Sequence, residues 1–570
     1  STFNVDAIKD AEFLAGGFPA EYGERISSVL RITTKEGNKN KFAGKGSISL
    51  ISSKFMLEGP IPGGSFIIAG RRTYFDQAYK TYQKIRGRKK EFPYFFYDLQ
   101  GKVNIDFSEK NRLYLSGFLG DDVLNIKFTE QENNEKTEVK LDWSWGNRTT
   151  SLLWRYIFNP KLFSEILLAR SQFLFDVKLD FFFQGEESSS EGHLGIEDNI
   201  VDYTIRHDFS YFYSKNHTLK FGYDVKKMDF KVDIDIDDIN LILYREKPTS
   251  SAIYLQDKWQ INELLFLQPG IRMNYYTLGK RFSLDPRIGL KYRIRPNTAV
   301  KAAWGIYHQF LNTANSEEEN FTLIDFWFPI DERYLPIKAI HYGLGIEQWL
   351  RHDLTLNVEL YYKDMRNLLD LNEQGDEYDE SDDFLKASGS AKGIEILLKK
   401  SGGKIRGWIG YTLASVKKNR SGLIYFPKFD RRHNINSVFE FKITDIWSVG
   451  FSWQFGTGFP YTPVLGKYWK YSDTGLIRDN KPMDYEGRIR KSIYGKKNSS
   501  RYPIYHRMDL NIKKTYTFKY WKAVPYIQIV NIYNRKNIFF YFWNHEANPS
   551  KREEVTMFPF LPTIGIDFSF

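Results

Sequence analysis

The end of the chain alternates without a break. Ile564, Ile566, Phe568 and Phe570 fall on one side of an extended backbone, and Thr563, Gly565, Asp567 and Ser569 on the other. Successive side chains of a strand point to opposite faces, so this segment has one apolar and one polar surface. Strands of soluble proteins alternate too, and position separates the two cases. The pattern runs to the last residue, a Phe, where soluble domains usually fray. A strand that closes a barrel in a membrane is paired to its end, because lipid offers no hydrogen bonds to an open edge. The terminal strand therefore predicts an outer-membrane β-barrel.

Composition agrees once it is read by face. Aromatic residues make up 17 % of the 570 residues, with 46 Phe, 37 Tyr and 13 Trp, as two interfacial girdles require. Charged residues are 26 %, and mean hydropathy is that of a water-soluble chain. A barrel strand shows lipid only every second side chain, so a chain average hides its lipid-facing half. No apolar run approaches the ~18 residues of a membrane-spanning helix; Ile538 to Trp543 is far shorter. The absence of cysteine excludes disulfide scaffolds, thiol catalysis and cysteine metal sites. The net charge of +11 comes with no nucleic-acid motif, so nucleic acid is not an expected partner. Ser1 and the lack of a signal peptide read as a processed or trimmed start.

Long aromatic-rich runs recur. Leu354, Leu356, Val358, Leu360 and Tyr362 oppose Thr355, Asn357, Glu359 and Tyr361. Leu267, Ile271, Met273 and Tyr275 oppose Gln268, Gly270, Arg272 and Asn274. Charges on the polar faces suit a wet interior. The connections come in two alternating kinds. Tight turns rich in Gly, Pro, Asn and Asp stand at Ile61-Pro62-Gly63-Gly64, Ser108 to Asn111, Asn159-Pro160-Lys161, Ser214 to His217, Asn262-Glu263, Arg295-Pro296-Asn297, Arg351-His352-Asp353, Ser401-Gly402-Gly403, Thr444-Asp445 and Thr517 to Lys519. Longer polar links lie between them, as at residues 73–93, 307–336 and 456–505. The predicted fold is all-β: a transmembrane antiparallel barrel of about 22 strands with short turns at one rim, in the range of plugged transporters. A soluble sandwich or propeller has no reason to alternate in this way.

Residues 1–40 differ, with a Gly16-Gly17-Phe18-Pro19 patch and a β-prone run at 27–34. The segment from Gly16 through Tyr22-Gly23-Glu24-Arg25 and Arg31-Ile32-Thr33-Thr34 to Gly37 resembles the end of the plug domain of TonB-dependent outer-membrane receptors, the kind common in Bacteroidota. Leu57-Glu58-Gly59-Pro60, Arg71-Arg72-Thr73-Tyr74, Asp285-Pro286-Arg287, Trp304-Gly305-Ile306-Tyr307, Gly393-Ile394-Glu395, Asp430-Arg431-Arg432-His433, Gly458-Phe459-Pro460-Tyr461 and Arg507-Met508-Asp509 resemble the barrel of the same family in order and spacing. The resemblance implies residues 1–40 as the C-terminal part of a plug and residues 41–570 as the barrel. It departs from the family in showing neither the coupling motif nor most of the plug. It implies active uptake of a scarce siderophore, glycan, peptide or vitamin, with the inner-membrane protein TonB supplying energy. It also implies that the terminal Phe570 serves the barrel-assembly machinery.

Constellations that suggest chemistry have plainer readings. Asp430, Arg431, Arg432 and His433 have no serine placed with them, and neighbours on a strand face opposite ways, so a hydrolase triad is unsupported. The expectation is no enzyme, no catalytic residue, no cofactor and no metal. The acidic run Glu373, Asp376, Glu377, Asp379, Glu380, Asp382 and Asp383 lacks the Gly and Glu spacing of an EF-hand loop and reads as a solvated outer loop. Basic groups (Arg86, Arg88, Lys89 and Lys90; Lys417, Lys418 and Arg420; Arg488, Arg490, Lys491, Lys496 and Lys497) fall in links on the outer side. There they suit lipopolysaccharide phosphates, an anionic ligand, or solubility alone. Ligand contacts are expected from aromatic residues of the two longest links: Tyr307, Phe310, Phe326 and Trp327 in one, Tyr461 and Tyr468 in the other. Two rivals stand beside the receptor reading: a passive or structural barrel, and a soluble all-β glycan-binding protein.

Overall fold

A computed structural model describes residues 4–74, 93–132, 135–184, 189–237, 239–314, 326–372, 384–471, 488–544 and 551–570, with short pieces between 76 and 84 and between 477 and 482. The acidic run 373–383 and the basic group at 86–90 lie outside the described residues. Among those described, no helix is long and apolar enough to cross a membrane.

A closed antiparallel barrel of 22 strands forms the wall. The first wall strand, Ala43–Ser49, pairs with the last, Leu561–Ser569, in the register Lys45↔Ser569 and Ile48↔Ile566. Closure satisfies the edge groups that lipid cannot. On the last strand Ile564 and Phe570 are exposed outward while Thr563 is buried inward, so the alternation read from sequence is the alternation between lipid and lumen. The tight turns marked by Gly, Pro, Asn and Asp all close one rim, the periplasmic one, as strand follows strand up and down the wall.

The opposite rim is less regular than the alternation of short and long links predicts. Residues 310–336 and 457–504 are long connections, but Ser49 and Ser52 are joined by two residues and Gln184 and Ser189 by four. In that part of the wall the length lies in the strands. Asn111–Glu132, Glu135–Asn159, Leu162–Gln184, Ser189–Phe212 and His217–Ile236 have 22, 25, 23, 24 and 20 residues, about twice the ~9–11 that cross a bilayer.

Three local expectations are corrected. Tyr307 belongs to the wall strand Thr298–Gln309 and not to the following link. Lys417, Lys418 and Arg420 belong to the strand Ile405–Arg420, because the wall continues above the membrane here as well. Asp430, Arg431 and Arg432 precede the strand His433–Lys442, so they have no strand periodicity. Asp430 is instead fully buried, accepting from the Val416 N–H at 2.7 Å and pairing with Arg501.

The N-terminal residues add no strand to the wall. Ile8–Leu14 and Val29–Thr34 pair only with each other, as a separate two-stranded sheet. The loop between them packs against inward-facing wall side chains, which places the segment in the lumen.

Candidate functional site

The lumen is built from inward positions of the wall strands, and its polar residues grip the N-terminal segment mainly by its backbone. Arg287, on the strand Arg281–Arg295, donates through Nη1 to the carbonyls of Phe18 (3.4 Å), Pro19 (2.7 Å) and Tyr22. A guanidinium presents several donors in one plane, so it can serve a tight turn of carbonyls that a single ammonium cannot. Tyr307 donates its hydroxyl to the Phe18 carbonyl at 3.1 Å. His341 Nε2 lies 2.8 Å from the Ile26 carbonyl, and Lys363 donates to Ala15 at 2.6 Å and Ser27 at 2.8 Å. The Phe18 ring closes the contact, 4.4 Å from Tyr307 and beneath the Arg287 guanidinium at 5.1 Å.

A chain of buried charges stands behind these contacts. Arg272 is 2 % exposed and meets Asp224 at 2.8 and 3.0 Å. It donates to Asn274 at 2.8 Å, and Asn274 in turn donates to Asp285, the partner of Arg287. Buried charges persist only where paired and hydrogen-bonded, and each member here has a partner. The segment supplies its own acids. Glu21 accepts from Lys220 at 3.0 Å, and Glu24 from Lys226 at 2.8 Å. Burial alone would raise the Glu24 carboxyl; the charges of Lys226 and Arg272 outweigh it and hold the carboxyl at about 2. Glu24 has a left-handed backbone, φ 58°, an uncommon state for a non-glycine residue that surrounding contacts must sustain. Gly23 and Gly17 leave no room for a side chain. A Cβ on Gly23 would sit 2.1 Å from Arg272 Nε, and one on Gly17, at φ +61°, would sit 2.6 Å from the Ala303 Cβ.

The described parts of the next link, residues 310–314 and 326–336, reach into this site from above. Its hairpin Leu311–Ala314 with Phe326–Pro329 leads into Ile330 and Tyr334, which share one apolar cluster with Phe18 and Ile26 of the N-terminal segment and with Tyr307 and Leu369 of the wall. The outer link and the segment below are thus joined through packed side chains.

The aromatic residues singled out from sequence separate into two groups. Tyr307 and Phe310 are 0 % and 2 % exposed; Tyr307 stacks on His341 and Phe310 on Tyr276. Trp327 packs beside Phe310, and its backbone N–H donates to Asp198 at 3.4 Å. The Phe326 side chain lies outside the described residues. In the other link Tyr461 sits 4.6 Å from Tyr502 and 5.4 Å from Tyr541, with Arg552 over Tyr541 at 4.1 Å. Tyr468 is 48 % exposed. Among the described residues no contact joins the two groups. Arg272, Arg287, His341 and Lys363 were not singled out. Each is one polar residue at an inward strand position, and the single hint is that Asp285-Pro286-Arg287 lies among the family-like fragments. Among the described residues no group of His, Asp and Glu is arranged to hold a metal.

A 22-strand barrel with a lipid-facing apolar belt and a polar lumen that holds its own N-terminal segment defines an outer-membrane receptor barrel. The chain matches the family described as TonB dependent receptor-like, beta-barrel over residues 66–534, and it belongs to that family, one of receptors and transporters and not of enzymes. No curated protein matches it in sequence. Solved structures share the fold. The outer-membrane transporter YddB from Escherichia coli aligns with a TM-score of 0.68 at 9 % identity over 100 % of this chain and 85 % of its own. The ferripyoverdine receptor of Pseudomonas aeruginosa, bound to ferripyoverdine, aligns at 0.66 and 12 % identity over 99 % and 76 %. The ferric-catecholate import receptor Fiu from E. coli K12 aligns at 0.62 and 13 % over 96 % and 86 %.

Proposed function

We propose that the protein is an energised uptake receptor in which residues 1–40 are the C-terminal part of a plug and residues 41–570 are the barrel. The observation that carries this reading is the grip of Arg287, Tyr307, His341 and Lys363 on backbone carbonyls of the segment. Such contacts hold a loop in one place without embedding it in the wall, so a pull from the periplasmic side can release it. A passive barrel has no use for a segment held in its lumen in this way. The outer links hold the ligand above the segment, with Tyr461, Tyr468 and Trp327 as contacts alongside Tyr502 and Tyr541. Phe310 and Tyr307 lie along the path that conveys binding to the segment. TonB is the inner-membrane partner, lipopolysaccharide lies against outer lysines such as Lys496 and Lys497, and the barrel-assembly machinery reads Phe570. Two of the similar structures are receptors for iron chelates by name, which puts a siderophore first among the candidate cargoes, ahead of a glycan, a peptide or a vitamin.

The test is growth of a strain lacking the gene, with and without the wild-type copy, on single limiting sources of iron, peptide, glycan and cobalamin, in cells with and without TonB. One source should support growth only when both the gene and TonB are present. Growth that depends on the gene but not on TonB would refute energised uptake.

A further inference from the structure

The strands that rise beyond the membrane exchange their apolar face for the opposite one. Within the bilayer the apolar side chains point outward, as do Leu115 and Leu119, Tyr203 and Ile205, and Phe221 and Tyr223. Charged residues at outward positions (Asp121, Arg170 and Lys227) end that belt. Above it the outward face carries ion pairs, including Lys178 with Asp176 at 3.8 Å and Lys231 with Glu197 at 3.4 Å and Asp233 at 3.2 Å. The inward face becomes apolar. Register places Leu124, Trp143, Val177, Ile196 and Ile234 side by side in one row across five strands, and the next row upward runs from Ile126 through Leu141, Leu179 and Leu194 to Ile236. Neither row contains a charge. The lower row is packed, with Trp143 and Val177 both 8 % exposed, while the upper face is open, with Ile126 42 %, Phe181 47 % and Ile236 43 % exposed.

A strand with water on both sides gains nothing from an apolar face unless something covers it. The face is concave and looks onto the barrel axis, above the lumen. A second barrel or the bilayer would meet the ion-paired outer face. Below its lower edge the buried Asp198 accepts from the Trp327 backbone N–H at 3.4 Å, and beyond it a second apolar cluster of Ile200, Phe310 and Trp327 adjoins the hairpin that leads down to Phe18. We infer that this inner face is the first binding surface for the cargo, and that the cargo is an amphiphile: an aliphatic or aromatic body that lies on the two apolar rows, with a polar end left in water. This deepens the uptake reading and rests on it. A fully hydroxylated glycan finds no partners on these rows, since leaving its polar groups unpaired against them costs affinity.

The test uses the whole chain in lipid nanodiscs, with anilinonaphthalene sulfonate as an amphiphilic probe followed by energy transfer from tryptophan, Trp143 and Trp145 lying on the face. The double variant I126N/F181N should bind the probe about tenfold more weakly, and Ile236→Asn alone should weaken it in the same direction. Lys178→Gln on the outer face should leave it unchanged. These side chains are half in water already, and heat-modifiable migration checks that each barrel is folded. A short-chain alkyl sulfonate should displace the probe and maltohexaose should not. Equal affinity in wild type and both polar variants, displacement by maltohexaose alone, or a protein cross-linked through position 181 in native membranes would each overturn the inference. Loss of TonB dependence in cells with probe binding intact would strike the uptake reading instead.

Discussion

Gly44 and Phe570 exchange both of their backbone hydrogen bonds: the Gly44 N–H donates to the Phe570 carbonyl at 3.2 Å, and the Phe570 N–H donates to the Gly44 carbonyl at 3.0 Å. The Phe570 ring lies across the glycine, so close that a Cβ there would come within 2.5 Å of it; Phe568 lies across Gly46 in the same way, at 2.0 Å. Glycine weakens a strand by entropy and by leaving a gap; an aromatic ring from the neighbouring strand fills that gap. The seam that closes the cylinder is built from this exchange.

The seam makes assembly sensitive to its last residue. Phe570→Asp should reduce the heat-modifiable barrel in the outer-membrane fraction several-fold, while Phe570→Tyr leaves it near wild type. An outward charge close to the interface costs only about 0–1 kcal/mol, so the loss comes from the seam and from recognition of the terminal strand. Normal assembly of the Asp variant would reduce Phe570 to one more lipid-facing side chain.

Arg287 should hold residues 15–27 in the lumen. Arg287→Ala removes the donor to three carbonyls and leaves Asp285 without its guanidinium, a loss of about 3–5 kcal/mol by analogy with buried pairs deprived of one partner. The barrel should still form, and hydrogen exchange should rise selectively in residues 15–27. Arg287→Lys should fall between the two, since an ammonium cannot reach all three carbonyls and stack on Tyr307, which the guanidinium does at 4.2 Å. Unchanged exchange in the Ala variant would show that apolar packing alone holds the segment.

Gly17→Ala should free the same segment by a different route. The left-handed backbone costs an alanine roughly 1–2 kcal/mol, and its methyl meets Ala303. Limited proteolysis should cut the variant near Phe18 while the wild type resists. The double change G17A/A303G should recover part of the protection, because it removes the clash and leaves the backbone cost.

Attachment of the segment should be steady through neutral pH and weaken in acid. The Glu24 carboxyl stands at about 2 against an ordinary 4.5. A depressed carboxyl contributes stability that is complete above its unfolded value and disappears as pH falls through its folded value. Exchange of residues 15–27 should therefore accelerate between about pH 4.5 and 2. Glu24→Gln should flatten that dependence and raise exchange at neutral pH. A wild-type profile that changes instead between pH 6 and 8 would point to a different group.

The sequence by itself determined the wall. Alternation from Thr563 to Phe570 gave the terminal strand and the face it shows to lipid, and turns such as Ile61-Pro62-Gly63-Gly64 placed one rim, because two-face periodicity and turn chemistry are local and each strand obeys them alone. The same locality kept the lumen out of reach. Arg272, Arg287, His341 and Lys363 look like ordinary inward polar residues until the barrel closes and brings them around the turn at Phe18, more than two hundred residues away in sequence. Tyr307 read as a loop aromatic because its strand ends two residues later, and only the neighbouring strands show it buried. The reversal of faces above the membrane is written in the long strands only as a local break in alternation, such as Phe173-Leu174-Phe175. Only pairing across five strands shows that the apolar positions change sides together, because inside and outside are properties of the closed cylinder and not of any one strand.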